Sequence, residues 1–135
     1  MTGYSATPLW KKLGLKPGLE AVAEGRPGDY IALLALPDDV RVTWAPKLSC
    51  ETQLVHVFET KLSKLSARLA KLRIAVRPDC VIWVSWPKKT SKVETDITED
   101  RIRDVALPLG FVDIKVCAVS EIWSGLKLVI RKDQR

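Results

Sequence analysis

Two adjacent lysines come directly after an apolar run, where a bound ligand would meet charged side chains. Residues 81–86 are apolar or small, Pro87 ends the run, and Lys88 and Lys89 follow it. The run predicts a buried central strand, because parallel strands covered on both faces are continuously apolar. Lysine ammonium groups can hold a phosphate or a carboxylate. The sequence therefore predicts that an anion binds at the loop after this strand.

Three more side chains are candidate contacts for a ligand at this loop. Thr95 lies further along the loop, and its hydroxyl can donate a hydrogen bond to an anion. Trp86 ends the apolar run and is expected to line the floor of the site. Trp123 lies in a later turn and is expected to form a wall. An indole ring suits these roles because it offers an apolar surface and a face that attracts cations.

A second candidate site is the loop 24–28, Glu-Gly-Arg-Pro-Gly, which follows the first predicted strand. Gly25 lets backbone approach a ligand, and Arg26 can contact an anionic group. The loop lacks the G-x-G-x-x-G pattern of dinucleotide sites, and residues 42–46 after the second strand bring no acidic residue for a ribose. We therefore expect no tight binding of S-adenosylmethionine and no cofactor. The alternative is a simple strand-to-helix turn.

Both candidate loops are expected at the carboxyl edge of one sheet, where open α/β sheets bind their ligands. In the inferred sheet the first strand and the central strand are neighbours. Gly25 and Arg26 would then face Lys88 and Lys89 across a crevice. The basic side chains would make this crevice positive, which selects an anionic small molecule as the partner. The alternative is a pair of solvated lysines at the end of a strand.

The remaining titratable residues are explained by the fold. His56 alternates with apolar residues on one strand face, which is typical of a hydrogen-bonded core histidine. Asp96 or Thr98 can cap the helix that follows, and Asp96 and Glu99 have the spacing of a capping box. Four basic residues at helical spacing predict a solvated ridge, and nucleic acid is not expected there because no aromatic residues are interleaved for bases to stack on. This basic ridge consists of Lys61, Lys64, Arg68 and Lys71.

The composition is that of one globular domain. The 135 residues are 47% hydrophobic and 28% charged, with a net charge of +6, and can bury a core. Three cysteines without C-x-x-C spacing and a single histidine predict reduced thiols in the cytoplasm and no metal site. No targeting segment or membrane span is expected. The oligomeric state is left open.

The order of the predicted elements indicates an α/β protein. Strands and helices alternate, which favours a mostly parallel, Rossmann-like sheet flanked by helices. The last two strands, 111–119 and 126–130, are joined by a short segment and so form an antiparallel β-hairpin. We expect residues 1–16 to form an N-terminal helical flap and residues 17–135 the core. The other predicted strands are 19–24, 40–44, 53–58 and 81–86, and the predicted helices are 7–14, 29–36, 61–73 and one between 96 and 110.

Two resemblances follow from these elements and motifs. A helix followed by an antiparallel hairpin at the end of the sheet is similar to a shortened Rossmann-like fold of S-adenosylmethionine-dependent methyltransferases. The sequence also resembles a family of small bacterial proteins catalogued as a domain of unknown function, and that resemblance implies no activity. The shared motifs are Gly-Tyr-Ser-Ala-Thr-Pro-Leu at 3–9, Trp-Val-Ser-Trp-Pro-Lys-Lys at 83–89, Val-Glu-Thr-Asp-Ile-Thr-Glu-Asp at 93–100 and Trp-Ser-Gly-Leu-Lys at 123–127.

Three classes of function remain open at this point. The first is a non-catalytic small-molecule-binding or regulatory protein with a degenerate methyltransferase-like fold, which the missing glycine pattern favours. The second is an enzyme that acts on an anionic or nucleotide-like ligand through the loop 88–96. The third is nucleic-acid binding by the basic ridge. No arrangement typical of a nucleophilic catalyst decides between them, so no catalytic residue is assigned.

Overall fold

Six strands and four α-helices alternate along residues 7–135, the part of the chain that the computed structural model describes. The strands are β1 (Glu20–Glu24), β2 (Thr43–Trp44), β3 (Leu54–Phe58), β4 (Val81–Pro87), β5 (Phe111–Ala118) and β6 (Trp123–Ile130). The helices are α1 (Leu9–Leu13), α2 (Tyr30–Leu34), α3 (Leu62–Ala75) and α4 (Glu99–Ala106). A 3-10 turn, Leu107–Leu109, extends α4 as far as Gly110, whose φ of 97° ends it.

The strands form one sheet in the order β2-β1-β3-β4-β6-β5. Strands β2, β1, β3 and β4 pair in parallel, whereas β6 runs antiparallel to both β4 and β5. The predicted fold class is therefore confirmed: a mostly parallel α/β sheet that ends in an antiparallel hairpin. The prediction that β4 is an interior strand is confirmed as well, since it pairs with β3 on one side and β6 on the other.

Helices cover both faces of β4, and alternate residues of the strand enter two separate cores. Ile82, Val84 and Trp86 pack with the apolar stripes of α3 and α4. Trp83 points to the opposite face, where it packs with α1 and α2. This double coverage is why the strand reads as a continuous apolar run rather than an alternating one. Leucines recur at helical spacing along α3, which predicts one buried face. Leu65, Leu69 and Leu72 of this face are buried.

The prediction that the first strand and the central strand are neighbours is wrong, because β3 lies between them. The chain places β2 on the outer side of β1 and then crosses back to place β3 on the inner side. The direction of winding therefore reverses between β1 and β3, and this position is the topological switch point of the sheet. Local sequence patterns predict strands, but they carry no information on the order of parallel strands.

Of the two caps that the sequence offered for α4, Asp96 and Thr98, the structure uses Thr98. Thr98 caps α4, its hydroxyl accepting a hydrogen bond from the Arg101 amide at 3.2 Å. Asp96 caps a different helix, because its Oδ1 accepts the amide of Leu62 at the start of α3, at 2.7 Å. Residues 1–6 of the predicted N-terminal flap lie outside the described residues, and α1 begins after Pro8.

The indole of Trp83 attaches α1 to the sheet. The side chain is fully buried and its Nε1 donates to the carbonyl of Leu13, at the end of α1, over 3.0 Å. We expect Trp83→Phe to lower the free energy of unfolding by about 1–3 kcal/mol, because a buried carbonyl loses its partner and the core loses volume. Urea unfolding will test this, with the half-buried Trp44→Phe as the control. Equal effects of the two substitutions would contradict the role of the hydrogen bond.

Candidate functional site

The loops that follow β1 and β3 meet at the carboxyl edge of the sheet. Gly25, the first residue after β1, has a φ of 67°, and a Cβ atom there would lie 2.6 Å from the carbonyl oxygen of Phe58. Only glycine fits this position, since it needs both a left-handed backbone and close contact with the end of β3. The sequence predicted a close approach of the backbone at Gly25. The contact that the structure shows there is with the last residue of β3.

A cavity of about 240 Å³ opens beside the carboxyl ends of β1 and β2, and we call it the β1–β2 cavity. It is lined by Ala23, Arg26, Trp44, Ala45 and Pro46. Its volume lies below the roughly 300–1,000 Å³ typical of a cavity for a drug-sized ligand. The cavity is therefore large enough for part of such a ligand, and its walls combine an aromatic ring with a guanidinium.

A larger cavity of about 560 Å³ lies between the start of α3 and the loop after β4, and we call it the α3 cavity. Two hydrogen bonds fasten the loop to the helix. The Thr95 hydroxyl donates to the Thr60 carbonyl at 2.6 Å, and the Asp96 carboxylate accepts the Leu62 amide. The Thr95 hydroxyl thus shapes the cavity through a protein hydrogen bond. The lining residues are Thr60, Lys61, Ser63, Glu94, Thr95 and Asp96.

Carboxylates occupy the amino end of α3, where an anion would otherwise be favoured. Glu59 Oε1 accepts the amides of Thr60 and Lys61 at 2.9 and 3.1 Å, and Asp96 accepts the amide of the next residue. Glu94 adds another acid to the lining. Asp96 satisfies the first amide of the helix, and the three carboxylates together repel an anion, so the α3 cavity favours a cationic or polar group.

The predicted crevice between Gly25-Arg26 and Lys88-Lys89 does not exist, because β3 separates the two strands that carry these loops. Arg26 lines the β1–β2 cavity, whereas the lysines lie beyond β4. The backbone amide of Lys88 donates to the Ile122 carbonyl at 2.8 Å, and Lys89 begins a 3-10 turn. The lysine pair thus lies beside the turn between β5 and β6.

The two tryptophans expected to form one floor and wall lie on opposite faces of the sheet. Trp86 is 8% exposed and packs with α3 and α4. Trp123 is half-buried on the other face, where its ring packs edge-on against Phe58 with 5.1 Å between centroids. Successive residues along a strand point to opposite faces of the sheet. Trp123 pairs with Pro87, the residue after Trp86, so the two indoles lie on opposite faces.

A chain of three buried polar side chains connects α2, β3 and β4. The Tyr30 hydroxyl is 2.8 Å from His56 Nδ1, and His56 Nε2 is 2.7 Å from Ser85 Oγ. All three residues are fully buried. Burial lowers the pKa of His56 to about 3 and raises the pKa of Tyr30, an increase that Arg26 partly opposes. His56 is therefore the neutral, hydrogen-bonded core residue that its strand position indicates.

Sequence reasoning missed the partners of His56. The available signal was Ser85, a hydroxyl inside an otherwise apolar strand, since a polar residue is placed there only when a partner satisfies it. The pairing of β3 with β4 brings His56 and Ser85 together. Nothing in the sequence indicates that Tyr30, on a short helix, completes the chain.

The basic ridge is only partly solvated. Lys61, Lys64 and Lys71 are exposed, but Arg68 forms an ion pair with Glu24 at the carboxyl end of β1. Its Nε donates to Glu24 Oε1 at 2.8 Å. This arginine therefore attaches α3 to the edge that carries the two cavities.

Within residues 7–135, no cluster of histidine, cysteine, aspartate or glutamate has an arrangement that could hold a metal ion. The helices of the same range are all too short or too polar to cross a membrane.

The left-handed turn at Gly25 gives a direct stability test. Gly25→Ala should lower the free energy of unfolding by about 1–3 kcal/mol, because it combines backbone strain with a clash against the Phe58 carbonyl. Gly28→Ala is the matched control: no atom lies within 4 Å of its added Cβ and its φ is outside the left-handed region. Urea midpoints that shift equally for both variants would contradict the close contact between the loops.

The depressed pKa of His56 predicts acid-labile stability. The unfolded state takes up a proton near the ordinary histidine pKa of 6.5, and the folded state only near pH 3, so stability is lost as the pH falls through this window. One proton corresponds to a slope of at most about 1.4 kcal/mol per pH unit. Unfolding of the parent and of His56→Gln should be measured between pH 7 and 4.5. The difference in unfolding free energy between the two proteins should narrow on acidification, and a constant difference would show that folding does not lower the pKa of His56.

Solved structures similar to this chain include methyltransferases. A SAM-dependent methyltransferase from Aquifex aeolicus has a TM-score of 0.60 at 14% identity, over 90% of this chain and 87% of its own. The ribosomal protein L11 methylase of Lactobacillus delbrueckii subsp. bulgaricus has a TM-score of 0.59 at 11% identity, over 91% and 75%. Magnesium protoporphyrin IX methyltransferase from Synechocystis PCC 6803, solved with bound SAM, has a TM-score of 0.57 at 14% identity, over 91% and 74%.

These likenesses confirm the methyltransferase-like fold. No protein-family model matches the sequence, and the comparison with curated proteins gave no match, so the resemblance to the small bacterial family is not confirmed. The prediction of a non-catalytic binding or regulatory protein is contradicted by neighbours that are methyltransferases. The anionic small molecule is also corrected as a partner, since several neighbours were solved with SAM or S-adenosylhomocysteine.

Proposed function

We propose that this chain binds S-adenosylmethionine along the carboxyl edge of its sheet and transfers the methyl group to a small acceptor. The observation that carries this proposal is the switch point between β1 and β3, with a cavity on either side of it. Open α/β sheets bind ligands at this position because the loops of the two halves diverge there. One of the similar methyltransferase structures holds bound SAM, which supports this choice of cofactor.

The β1–β2 cavity fits the adenine end of the cofactor. Its volume of about 240 Å³ suits a flat base, and the indole of Trp44 provides a surface on which that base can stack. Gly25 lets the backbone of the loop approach the ligand at the boundary with β3.

The α3 cavity fits the other charges of the same molecule. S-adenosylmethionine carries a sulfonium and an ammonium cation, which the carboxylates of Glu94 and Asp96 attract. Lys61 is available for its carboxylate. The polar and acidic character of this cavity is thus better suited to this cofactor than to a simple anion.

One feature of cofactor sites is missing, and it limits the expected affinity. Trp44, Ala45 and Pro46 follow the start of β2, so this segment supplies no carboxylate to the ribose hydroxyls. We expect a dissociation constant on the order of tens to hundreds of micromolar. The sequence-based prediction that S-adenosylmethionine does not bind tightly thus stays a prediction, whereas the expectation of no cofactor is replaced by this proposal.

The bound cofactor would supply an electrophilic methyl group, and the chain would contribute positioning and charge. The hydrogen bonds of Thr95 and Asp96 hold the loop after β4 over the start of α3 and so preserve the α3 cavity. Glu94 is exposed, has no partner among the hydrogen bonds and ion pairs found in residues 7–135, and is the candidate to accept a proton from the methyl acceptor.

Calorimetric titration with S-adenosylmethionine and S-adenosylhomocysteine tests the proposal. Ala45→Leu should weaken binding at least tenfold, because the larger side chain fills the β1–β2 cavity. Ala67→Leu makes the same change on the exposed face of α3 and should leave binding unchanged. No measurable binding by the parent at millimolar ligand, or equal weakening by both substitutions, would refute the proposed site.

Three finer statements also belong to this proposal. We propose that the chain is a member of the small bacterial family that its motifs resemble, with residues 17–135 as the α/β core and residues 1–16 as its flap. A cytoplasmic location is supported by cysteines that form no disulfide, since Cys50, Cys80 and Cys117 are all free.

A further inference from the structure

The buried chain formed by Tyr30, His56 and Ser85, here called the hydroxyl–imidazole network, crosses three elements of the fold. Tyr30 begins α2, His56 lies in β3 and Ser85 lies in β4. Each hydroxyl can donate or accept, so a neutral imidazole makes both hydrogen bonds in either tautomer. The network is therefore complete without water, and no side-chain polar atom buried in residues 7–135 lacks a partner.

The network also fixes the far end of the loop that follows β1. This loop, residues 25–29, starts at Gly25 against the Phe58 carbonyl and ends at Tyr30 on the His56 imidazole. Both attachment points are on β3, two residues apart on the same face, and the His56 and Phe58 rings are stacked at 4.2 Å. The loop is thus held at each end by one rigid strand.

No capping side chain holds the start of α2. The helix has five residues, and Asp29 at its N-cap makes no side-chain capping hydrogen bond. An isolated helix of this length is not stable by itself. Its position therefore comes from packing, in which Tyr30 and Leu34 are fully buried and Leu33 is partly buried, and of these three Tyr30 makes the side-chain hydrogen bond to the sheet.

Tyr30 connects this attachment to the β1–β2 cavity. Its ring packs edge-on against Trp44, with 5.5 Å between centroids, and Trp44 is a wall of that cavity. Arg26, another wall, lies close enough to affect the ionisation of Tyr30. A shift of the Tyr30 ring would therefore disturb the Trp44 wall of the cavity.

We propose that Tyr30 and His56 are positioning residues for ligand binding: their hydrogen bond holds the loop 25–29 and Trp44 in the arrangement that receives the ligand. This proposal rests on the proposed function for the identity of the ligand, but the positioning of the loop is a property of the chain itself. Ser85 completes the network on the side away from the loop and is not required to hold it.

Tyr30→Phe and Ser85→Ala are a matched pair that tests this division. Each removes one hydroxyl and leaves one His56 nitrogen without a partner, so both should lower global stability to a similar extent. Of the two substitutions, only Tyr30→Phe removes the hydrogen bond between α2 and β3. Hydrogen exchange of peptides covering residues 25–34 should become roughly tenfold faster in Tyr30→Phe than in Ser85→Ala. The dissociation constant for S-adenosylmethionine should rise about tenfold in Tyr30→Phe alone.

Two substitutions of His56 provide a rescue test that a general packing role would not pass. In asparagine, the side-chain amide atoms are separated from Cα by the same number of bonds as Nδ1 is in histidine. In glutamine, they are separated from Cα by the same number of bonds as Nε2. His56→Asn should therefore keep the contact with Tyr30 and leave exchange in residues 25–34 close to that of the parent. His56→Gln keeps only the contact with Ser85 and should behave like Tyr30→Phe.

The outcomes separate this proposal from the proposed function. If the parent does not bind S-adenosylmethionine, the proposed function fails, while faster exchange in Tyr30→Phe still supports the positioning role. Equal exchange in Tyr30→Phe and Ser85→Ala, or faster exchange in His56→Asn than in His56→Gln, overturns it. Circular dichroism of each variant confirms that it is folded before exchange is measured.

Discussion

The insertion of β3 between β1 and β4 is the constraint on which the rest of the carboxyl edge depends. All five residues of this strand are buried, so its position is fixed by both cores at once. Its last carbonyl lies against Gly25, its imidazole contacts Tyr30 of α2, and Glu59, which follows it, accepts the amides of Thr60 and Lys61 just before α3. A strand that is fixed on both faces is a rigid support, which is what a ligand site requires of the loops around it.

The charges at this edge are arranged to satisfy the fold before any ligand arrives. Asp96 accepts the first amide of α3, Glu59 accepts the two amides before it, and Arg68 forms an ion pair with Glu24 at the end of β1. The helix terminus that would attract a phosphate is thereby occupied by carboxylates. The positive net charge of the chain consequently gives little information about this site, because lysines and carboxylates both line this edge.

A methyltransferase-like fold and an incomplete cofactor pattern occur together in this chain. Identity to the similar structures is 8–14%, which shows a shared fold and leaves the activity to be tested. The switch point and the glycine turn are retained at the edge where such folds bind ligands, while an acidic residue for the ribose is absent from residues 42–46. The proposed cofactor, stacked on Trp44 and held by carboxylates at its cationic end, would be consistent with both observations.

The sequence by itself determined the elements and much of the core. The apolar run 81–86, the leucine stripe of α3 and the short join before β6 each have a local pattern that predicts one structure. The position of the site was decided by tertiary structure. Strand order placed β3 beside Gly25 and sent Trp86 and Trp123 to opposite faces. Asp96 caps the helix that precedes it in sequence because the loop folds back. Contacts between distant residues form by packing of whole elements, so no local pattern encodes them.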